Sequence, residues 1–436
     1  MSEKKQMGFS RLDITPLLGK PIPGYFETRL GNAVLDPLYV NALAFREGDK
    51  AAVLMVCDLL GCYGKAGPAW QACVSEATGL PQEAVFICHT HTHTGGPIEP
   101  PETNPWLAQR LCDAARLALD DCKDVTEILV AGGEATDMAH VRRYKRADGE
   151  FQTWSSLNEK DIVGHASEVD NSLRVIRVER DGAPEIVIGS FQVHPDNVGG
   201  CGYSADYPAS FRSRIEEKRP GCRCVFLDGA EGQQVRNDPA FGINVPKSHA
   251  VAMEYGEKLA DFALKLYDQA TPIAEDTPFA ADMVVERIKS RRDDSRIPEC
   301  RRILALHRDG GDGELHPRRG EQIYMVAEAT QLIHLTEDQQ DYLDLKVTVI
   351  TFGGLAFVGF PGEPFNEMGV WLRERSPYPM TCVCCQTNGS EGYIATAEGY
   401  DQGGYEPRNS KMAKGVAEQL VDSAVAILNR MHGESR

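Results

Sequence analysis

The sequence predicts an α/β protein in which mixed β-sheets are covered by helices. Short apolar, β-prone runs recur along all 436 residues, as at 84–88, 224–227 and 355–359. Longer segments with apolar residues three or four apart, such as 106–122 and 248–267, alternate with them as helices do. Several of the strand-like runs stop at Gly or Pro beside a residue able to bind or react, which is where sites gather in α/β proteins.

From the N-terminus, Asp13-Ile14-Thr15-Pro16 and then Gly19, Pro21, Pro23 and Gly24 give an extended, turn-rich opening. Residues 51–60 form an apolar strand broken only by Asp58, a carboxylate near a strand end. A short helix at 70–78 precedes strand 84–88, which runs into His89, His91 and His93 before Gly95-Gly96-Pro97 turns the chain. On an extended backbone these three imidazoles share one face. After helix 106–122 and strand 128–132 comes a basic cluster at Arg142, Arg143, Lys145 and Arg146, a solvated loop face by its charge. Strands 173–178 and 185–193 form a hairpin about Asp181-Gly182, and the second runs into His194-Pro195.

Helix 207–218, strand 224–227 and the tight turn Gly229-Ala230-Glu231-Gly232-Gln233-Gln234 follow. Next are helix 248–267 and strand 279–288. Residues 289–320 are strongly charged and read as a surface insertion carrying one helix. The strand pair 345–352 and 355–359 leads to Pro361-Gly362-Glu363-Pro364, which confines a glutamate between Gly and Pro. Strand 382–386, a polar loop at 397–404 holding Tyr400, and a helix at 410–431 close the chain. There is no repeat or flexible linker, so residues 1–436 read as a single catalytic domain.

Composition narrows the function classes. With 46 basic and 64 acidic residues the net charge is −18, which opposes binding to nucleic acid or anionic membranes through a general field. The N-terminus lacks the apolar core of a secretory signal. The longest apolar-looking run, 348–360, is too short for a membrane helix and contains three glycines. Thirteen cysteines, scattered through strands and helices, read as reduced thiols that pack as small hydrophobes. This includes Cys222, Cys224, Cys382, Cys384 and Cys385. The expectation is a cytoplasmic protein without stable membrane insertion that acts on a small molecule. A homo-oligomer stays open.

Four strand ends offer metal-ligand chemistry: His91, His194, Glu363 and Tyr393. Two histidines and a carboxylate are a common catalytic zinc set that leaves a position open for water or substrate. Such an ion lowers the pKa of bound water and polarises a scissile carbonyl. The candidates lie far apart in sequence, so spacing alone leaves a strand-end role without metal equally open.

The motifs, taken together and in order, resemble the catalytic domain of the neutral/alkaline ceramidase family across most of the chain. They are Asp13-Ile14-Thr15-Pro16, His91-Thr92-His93-Thr94-Gly95-Gly96-Pro97, Phe191-Gln192-Val193-His194-Pro195, Pro361-Gly362-Glu363-Pro364 and the segment from Tyr393 to Tyr405-Glu406. The resemblance implies Zn²⁺ on His91, His194, Glu363 and Tyr393, with His93 as a base or substrate contact. It also implies that Tyr405 donates to the reacting carbonyl and that Arg143, or its neighbour Arg142, faces the site. Two departures bear on substrate. The Gly-Asp-Val-Ser-Pro-Asn segment of the family is replaced by Gly232-Gln233-Gln234-Val235-Arg236-Asn237, without its acid and serine. The chain also reads as a shortened member lacking the C-terminal immunoglobulin-like domain.

The expected activity is therefore zinc-dependent hydrolysis of an amide or ester through metal-activated water, on a substrate other than ceramide. One alternative keeps the metal in a lyase, isomerase or glycoside-cleaving enzyme acting on a small carbohydrate-like molecule. The other is a non-catalytic binding protein on the same fold.

Overall fold

Two β-sheets stack face to face, each with helices on its outer side. The structure, a computed structural model, describes residues 4–154, 159–274 and 276–433. The larger sheet contains β1 (Lys5–Asp13), β2 (Tyr39–Glu47), β3 (Lys50–Cys57), β4 (Val85–His89), β5 (Lys123–Glu134), β6 (Ser172–Arg180), β7 (Ala183–Phe191) and β8 (Arg223–Asp228). Their spatial order is β8-β7-β6-β5-β1-β2-β3-β4, with Thr271–Pro272 added beside β5. The smaller sheet holds β9 (Ala280–Lys289), β10 (Tyr342–Phe352), β11 (Leu355–Gly359) and β12 (Met380–Cys384), neighbours in chain order. The main helices are α1 (Ala66–Thr78), α2 (Pro105–Asp120), α3 (Tyr207–Lys218), α4 (His249–Gln269), α5 (Ile297–Arg308), α6 (Arg319–Glu337), α7 (Asn366–Arg375) and α8 (Val416–Gly433).

Strand periodicity explains the layering. Along β2, Leu43 and Phe45 face the second sheet, where Phe352 and Phe357 lie 5.3 and 5.6 Å from the Phe45 ring. The alternate residues Val40, Ala42 and Ala44 pack under α1 and α2. Both faces are buried, so the strands read as continuous apolar runs instead of alternating ones. The β6–β8 end of the sheet is covered by α3 and α4, and the outer face of the smaller sheet by α7 and α8.

Within these sheets only β3/β4, β7/β8 and β11/β12 are parallel pairs. Their C-terminal ends are knitted together by main-chain bonds: Thr90 N to Cys57 O (2.9 Å), Gly229 N to Phe191 O (2.9 Å) and Phe360 N to Cys384 O (3.1 Å). Cys385 N to Asp228 O (3.0 Å) and Asn388 N to Ile87 O (2.8 Å) then tie one pair to another. All three pairs end at one edge of the sandwich.

Several elements differ from the sequence expectation. The charged insertion carries the one expected helix, α5, and a second helix that the sequence reading does not place, α6, begins at its end. The second runs on to Glu337, because Cys300, Ile303, Val326, Ala329 and Leu332 give the α5/α6 pair a small core of its own. The polar loop holding Tyr400 contains the helix Ala397–Gln402, whose cap Thr396 accepts from Gly399 N. The last helix starts at Val416, since Gly415 at φ +98° ends an extended lead-in. Arg142, Arg143 and Arg146 are buried and not solvated, each guanidinium having found acceptors. Among the described residues no helix is long and apolar enough to cross a membrane.

Candidate metal centre

The centre lies where the parallel pairs end. His91 follows β4 by two residues with φ +59°, so the extended backbone stops at His89 and the expected row of three imidazoles breaks. His89 turns aside, donating from Nδ1 to Gln386 O (2.8 Å), with Nε2 3.3 Å from Cys62 Sγ. His91 and His93 both reach the centre, their rings 5.0 Å apart and nearly perpendicular. His194, three residues beyond β7, meets His91 at a centroid distance of 5.1 Å.

Main-chain carbonyls set the two ligand tautomers. His91 Nδ1 donates to Leu60 O (2.7 Å) and His194 Nδ1 to Glu231 O (2.9 Å). A carbonyl can only accept, so a proton sits on each Nδ1 and both Nε2 atoms face inward, where His91 can exchange a proton shared with Glu363 for a metal ion. Glu363 Oε2 lies 3.3 Å from His194 Nε2 and 3.6 Å from His91 Nε2. His194 Nε2 and Glu363 Oε2 are buried with no hydrogen-bond partner. Electron-pair donors converging on one dry point are what a metal ion requires.

Electrostatics agree with a positive charge at this spot. Burial pushes the His91 imidazole down, but the Glu363 carboxylate outweighs it and holds the group up at about 9. Burial would also raise Glu363, yet His91 and His194 pull its carboxyl well below the usual range. His194 itself falls to about 4 through burial and the nearby Arg142 charge. His93 falls to about 3, chiefly through burial, and neither of its ring nitrogens has a partner.

Close backbone approach holds Glu363 in place. A Cβ on Gly362 would sit 2.4 Å from Gly392 O, where Glu363 N donates (3.0 Å). Glu363 pairs in parallel register with Tyr393. The Tyr393 hydroxyl accepts from Arg142 Nη2 (3.0 Å), and its ring stacks 6.4 Å from His194. Tyr405 lies edge-on to Tyr393 at 5.6 Å, and its hydroxyl accepts from Asn409 Nδ2 (2.9 Å). Arg142 also donates to Glu406 Oε1 (2.7 Å) and Gly232 O (3.2 Å). Arg143 points elsewhere, to Gly399 O (3.2 Å), Gly403 O (2.8 Å) and Gln233 Oε1 (3.2 Å). The guanidinium that touches the centre is that of Arg142.

Sequence reasoning missed Glu231. The ligand atoms of His91, His194, Glu231 and Glu363 all lie within 4.8 Å of one another. The signal was present: like Glu363, it is a glutamate beside glycine just after a buried strand. Asp58, flagged at its strand end, is instead structural, clamping Arg212 through bonds of 2.9 and 2.7 Å. The side chains of Gln233 and Gln234 are consumed by Asn366, Glu367 and main-chain groups at 170 and 192. Two cavities flank the centre. One of about 250 Å³ is lined by His91, His93, Glu363, Tyr393 and Tyr405. The other, about 190 Å³, is lined by His194, Arg142, Trp154, Arg236 and Lys247.

No family model and no curated protein matches this sequence. Among solved structures, the chain is similar to a neutral ceramidase from Pseudomonas aeruginosa. The TM-score is 0.69 at 16% identity, covering 99% of this chain and 75% of that one. A ceramidase complexed with C2 is similar at TM-score 0.68 and 16% identity, covering 98% of this chain and 76% of the other. The fold is thus ceramidase-like, an α/β arrangement of mixed sheets covered by helices.

Proposed function

We propose that this protein is a metal-dependent hydrolase cleaving an amide or ester bond in a small polar molecule, with zinc held by His91, His194, Glu363 and Tyr393. The observation that carries the reading is the meeting of two Nδ1-anchored imidazoles and one unpartnered carboxylate oxygen at 3.3–3.6 Å. A divalent cation bound there supplies Lewis acidity, polarising a carbonyl and making water a stronger nucleophile. Arg142 fixes the Tyr393 hydroxyl, while burial and the Glu363 carboxylate hold the phenol well above its ordinary value against the Arg142 charge, so it offers a neutral oxygen as fourth ligand. Tyr405 accepts from Asn409, so its own proton is free to meet oxyanion charge developing in the first cavity. His93, with both nitrogens open, lines the first cavity, where it can contact the substrate or relay a proton.

Two features favour a substrate other than ceramide. Each cavity, at about 250 and 190 Å³, falls below the ~300–1,000 Å³ common for drug-sized ligands, so a substrate confined to one of them is small. The turn at 232–237 offers no acid or serine, and its two glutamines are committed to structure. A second reading, a lyase or sugar-cleaving enzyme using the same metal, draws on Arg142, Arg236 and Lys247 in the His194-side cavity, which suit a carboxylated sugar.

The test is metal analysis of the purified chain together with turnover on a panel of short amides, esters and uronates. Hydrolysis of an amide or ester that requires bound zinc and is abolished in Glu363→Gln is the expected result. Turnover confined to uronates favours the second reading, and full activity of Glu363→Gln overturns both.

A further inference from the structure

Three buried groups beside the proposed metal set are not used by it: Asp228 at the end of β8, Glu231 in the turn beyond, and Cys385 just past β12. One ligand atom from each lies within 4.8 Å of the others. Glu231 belongs to this triad and also to the tetrad with His91, His194 and Glu363. All four oxygens of Asp228 and Glu231 are buried without a hydrogen-bond partner. The side chains are 2% and 0% exposed, out of reach of bulk solvent.

Burying a carboxylate as an ion is costly, so a buried acid either keeps its proton or is held by a cation or a metal. Among the described residues no Lys or Arg pairs with either one. The nearby guanidiniums are committed: Arg212 to Asp58, and Arg142 to Glu406 and Tyr393. A proton shared between the two acids would require a hydrogen bond joining them, and none is present. The Cys385 thiol makes only a long contact, 3.6 Å, to His89 O. The strand ends that present these groups are rigid, since Cys385 N is bonded to Asp228 O at 3.0 Å.

We propose that Asp228, Glu231 and Cys385 form a second divalent-cation site adjoining the first, with the Glu231 carboxylate bridging the two. One Glu231 oxygen serves each site, which accounts for both being unpartnered. A thiolate with two carboxylates suits zinc, cobalt or ferrous iron better than magnesium or calcium. The centre is then binuclear, the arrangement in which two cations share the attacking and leaving oxygens of a hydrolysis. This inference rests on the metal-dependent reading above, and the two fail separately.

The full-length chain, freed of metal by a chelator, is titrated with Co²⁺ while the visible and near-ultraviolet spectra are recorded. Wild type should take up about two equivalents, one of them bringing a thiolate-to-cobalt charge-transfer band. Cys385→Ser should lose that band and retain about one equivalent, and Asp228→Asn should likewise fall to about one. The two variants alter different corners of the site, so either one that folds decides the matter. Uptake of a single equivalent without a thiolate band by wild type overturns the second site and leaves the hydrolase reading standing. Two equivalents with an undiminished band in Cys385→Ser also overturn it. Failure to bind any cation removes both proposals.

Discussion

The main-chain carbonyl of Glu231 accepts the Nδ1 proton of His194 at 2.9 Å. One turn therefore aims an imidazole with its backbone and places a carboxylate next to it. The same carbonyl accepts from Gln234 N (2.7 Å), and the next residue, Gly232, donates to Pro364 O (2.9 Å). With His194 N also donating to Gln234 O (3.0 Å), three chain segments remote in sequence are fixed to each other by backbone bonds.

Gly232→Ala tests that arrangement. Its Cβ would lie 2.5 Å from Glu363 O and 2.9 Å from Pro364 O, both rigid main-chain atoms. The turn must move away, taking the His194 acceptor with it. Metal affinity should fall ~10–100-fold, as when an orienting partner of a ligand is lost. The overpacking should cost about 1–3 kcal/mol. Metal titration and thermal melting read the two effects, and unaltered affinity would show that the turn does not orient His194.

Removing metal should destabilise the fold. A ligand held at about 1,000 times its Kd adds ~4 kcal/mol to the native state. Melting with and without a chelator should differ by several degrees in the wild type. In Glu363→Gln the difference should shrink, because a neutral amide replaces the carboxylate that faces both Nε2 atoms, while any ion on Asp228, Glu231 and Cys385 is kept. A Glu363→Gln as chelator-sensitive as the wild type would show that no ion rests on Glu363.

The meeting of His91, His194 and Glu363 was readable from sequence because each follows a buried apolar run and precedes Gly or Pro. Parallel pairing then brings such strand ends to one edge of the sandwich. The left-handed backbone of His91 was not readable: a non-glycine residue adopts it only when its surroundings compel it. Glu231 carries the same mark, a glutamate beside glycine just past a buried strand, but a turn has no periodicity to show that its side chain points inward. The choice between Arg142 and Arg143 turned on facing. Adjacent residues in extended chain point to opposite sides, so identical charges one position apart meet different acceptors, although both guanidiniums approach Glu406. The α5/α6 pair was under-read because charge dominates its composition, while the apolar residues of its core are few.

The two arginines should separate in their kinetics and stability. Arg142→Lys loses the planar fork that joins Tyr393, Glu406 and Gly232, and turnover should fall roughly 100-fold or more. Arg143→Lys loses bonds to Gly399, Gly403 and Gln233, which should lower stability by roughly 1–3 kcal/mol. Turnover of its folded fraction should stay near wild type. Paired kcat and melting measurements distinguish this from the reverse assignment, in which Arg143→Lys would carry the kinetic defect.

Glu328, one of two α6 carboxylates that bind Arg408, helps tie the α5/α6 pair to the segment carrying Tyr405, and that tie should respond to pH. Glu328 on α6 receives Arg291 (2.7 Å), Arg296 (3.0 and 3.0 Å) and Arg408 (3.4 Å). Four residues earlier on the same helix, Tyr324 donates to Thr153 O, and its ring lies 6.1 Å from Tyr405. Partial burial pushes the Glu328 carboxyl up, but Arg296, Arg408 and Arg291 outweigh it and hold it below the usual range. A depressed carboxyl stabilises the fold only while ionised in the native state. Its contribution is complete above the unfolded value of about 4.3 and disappears as pH falls through the lower native value. Glu328→Gln should therefore cost roughly 2–3 kcal/mol at neutral pH, less than a fully buried pair because Arg296 is partly solvated. The gap between wild type and variant should narrow once the pH drops below about 4. Because the anchor holds α6 against the segment carrying Tyr405, the variant should also raise KM more than it lowers kcat. A stability gap that stays constant from pH 7 down to pH 3 would show that the charge of Glu328 contributes nothing.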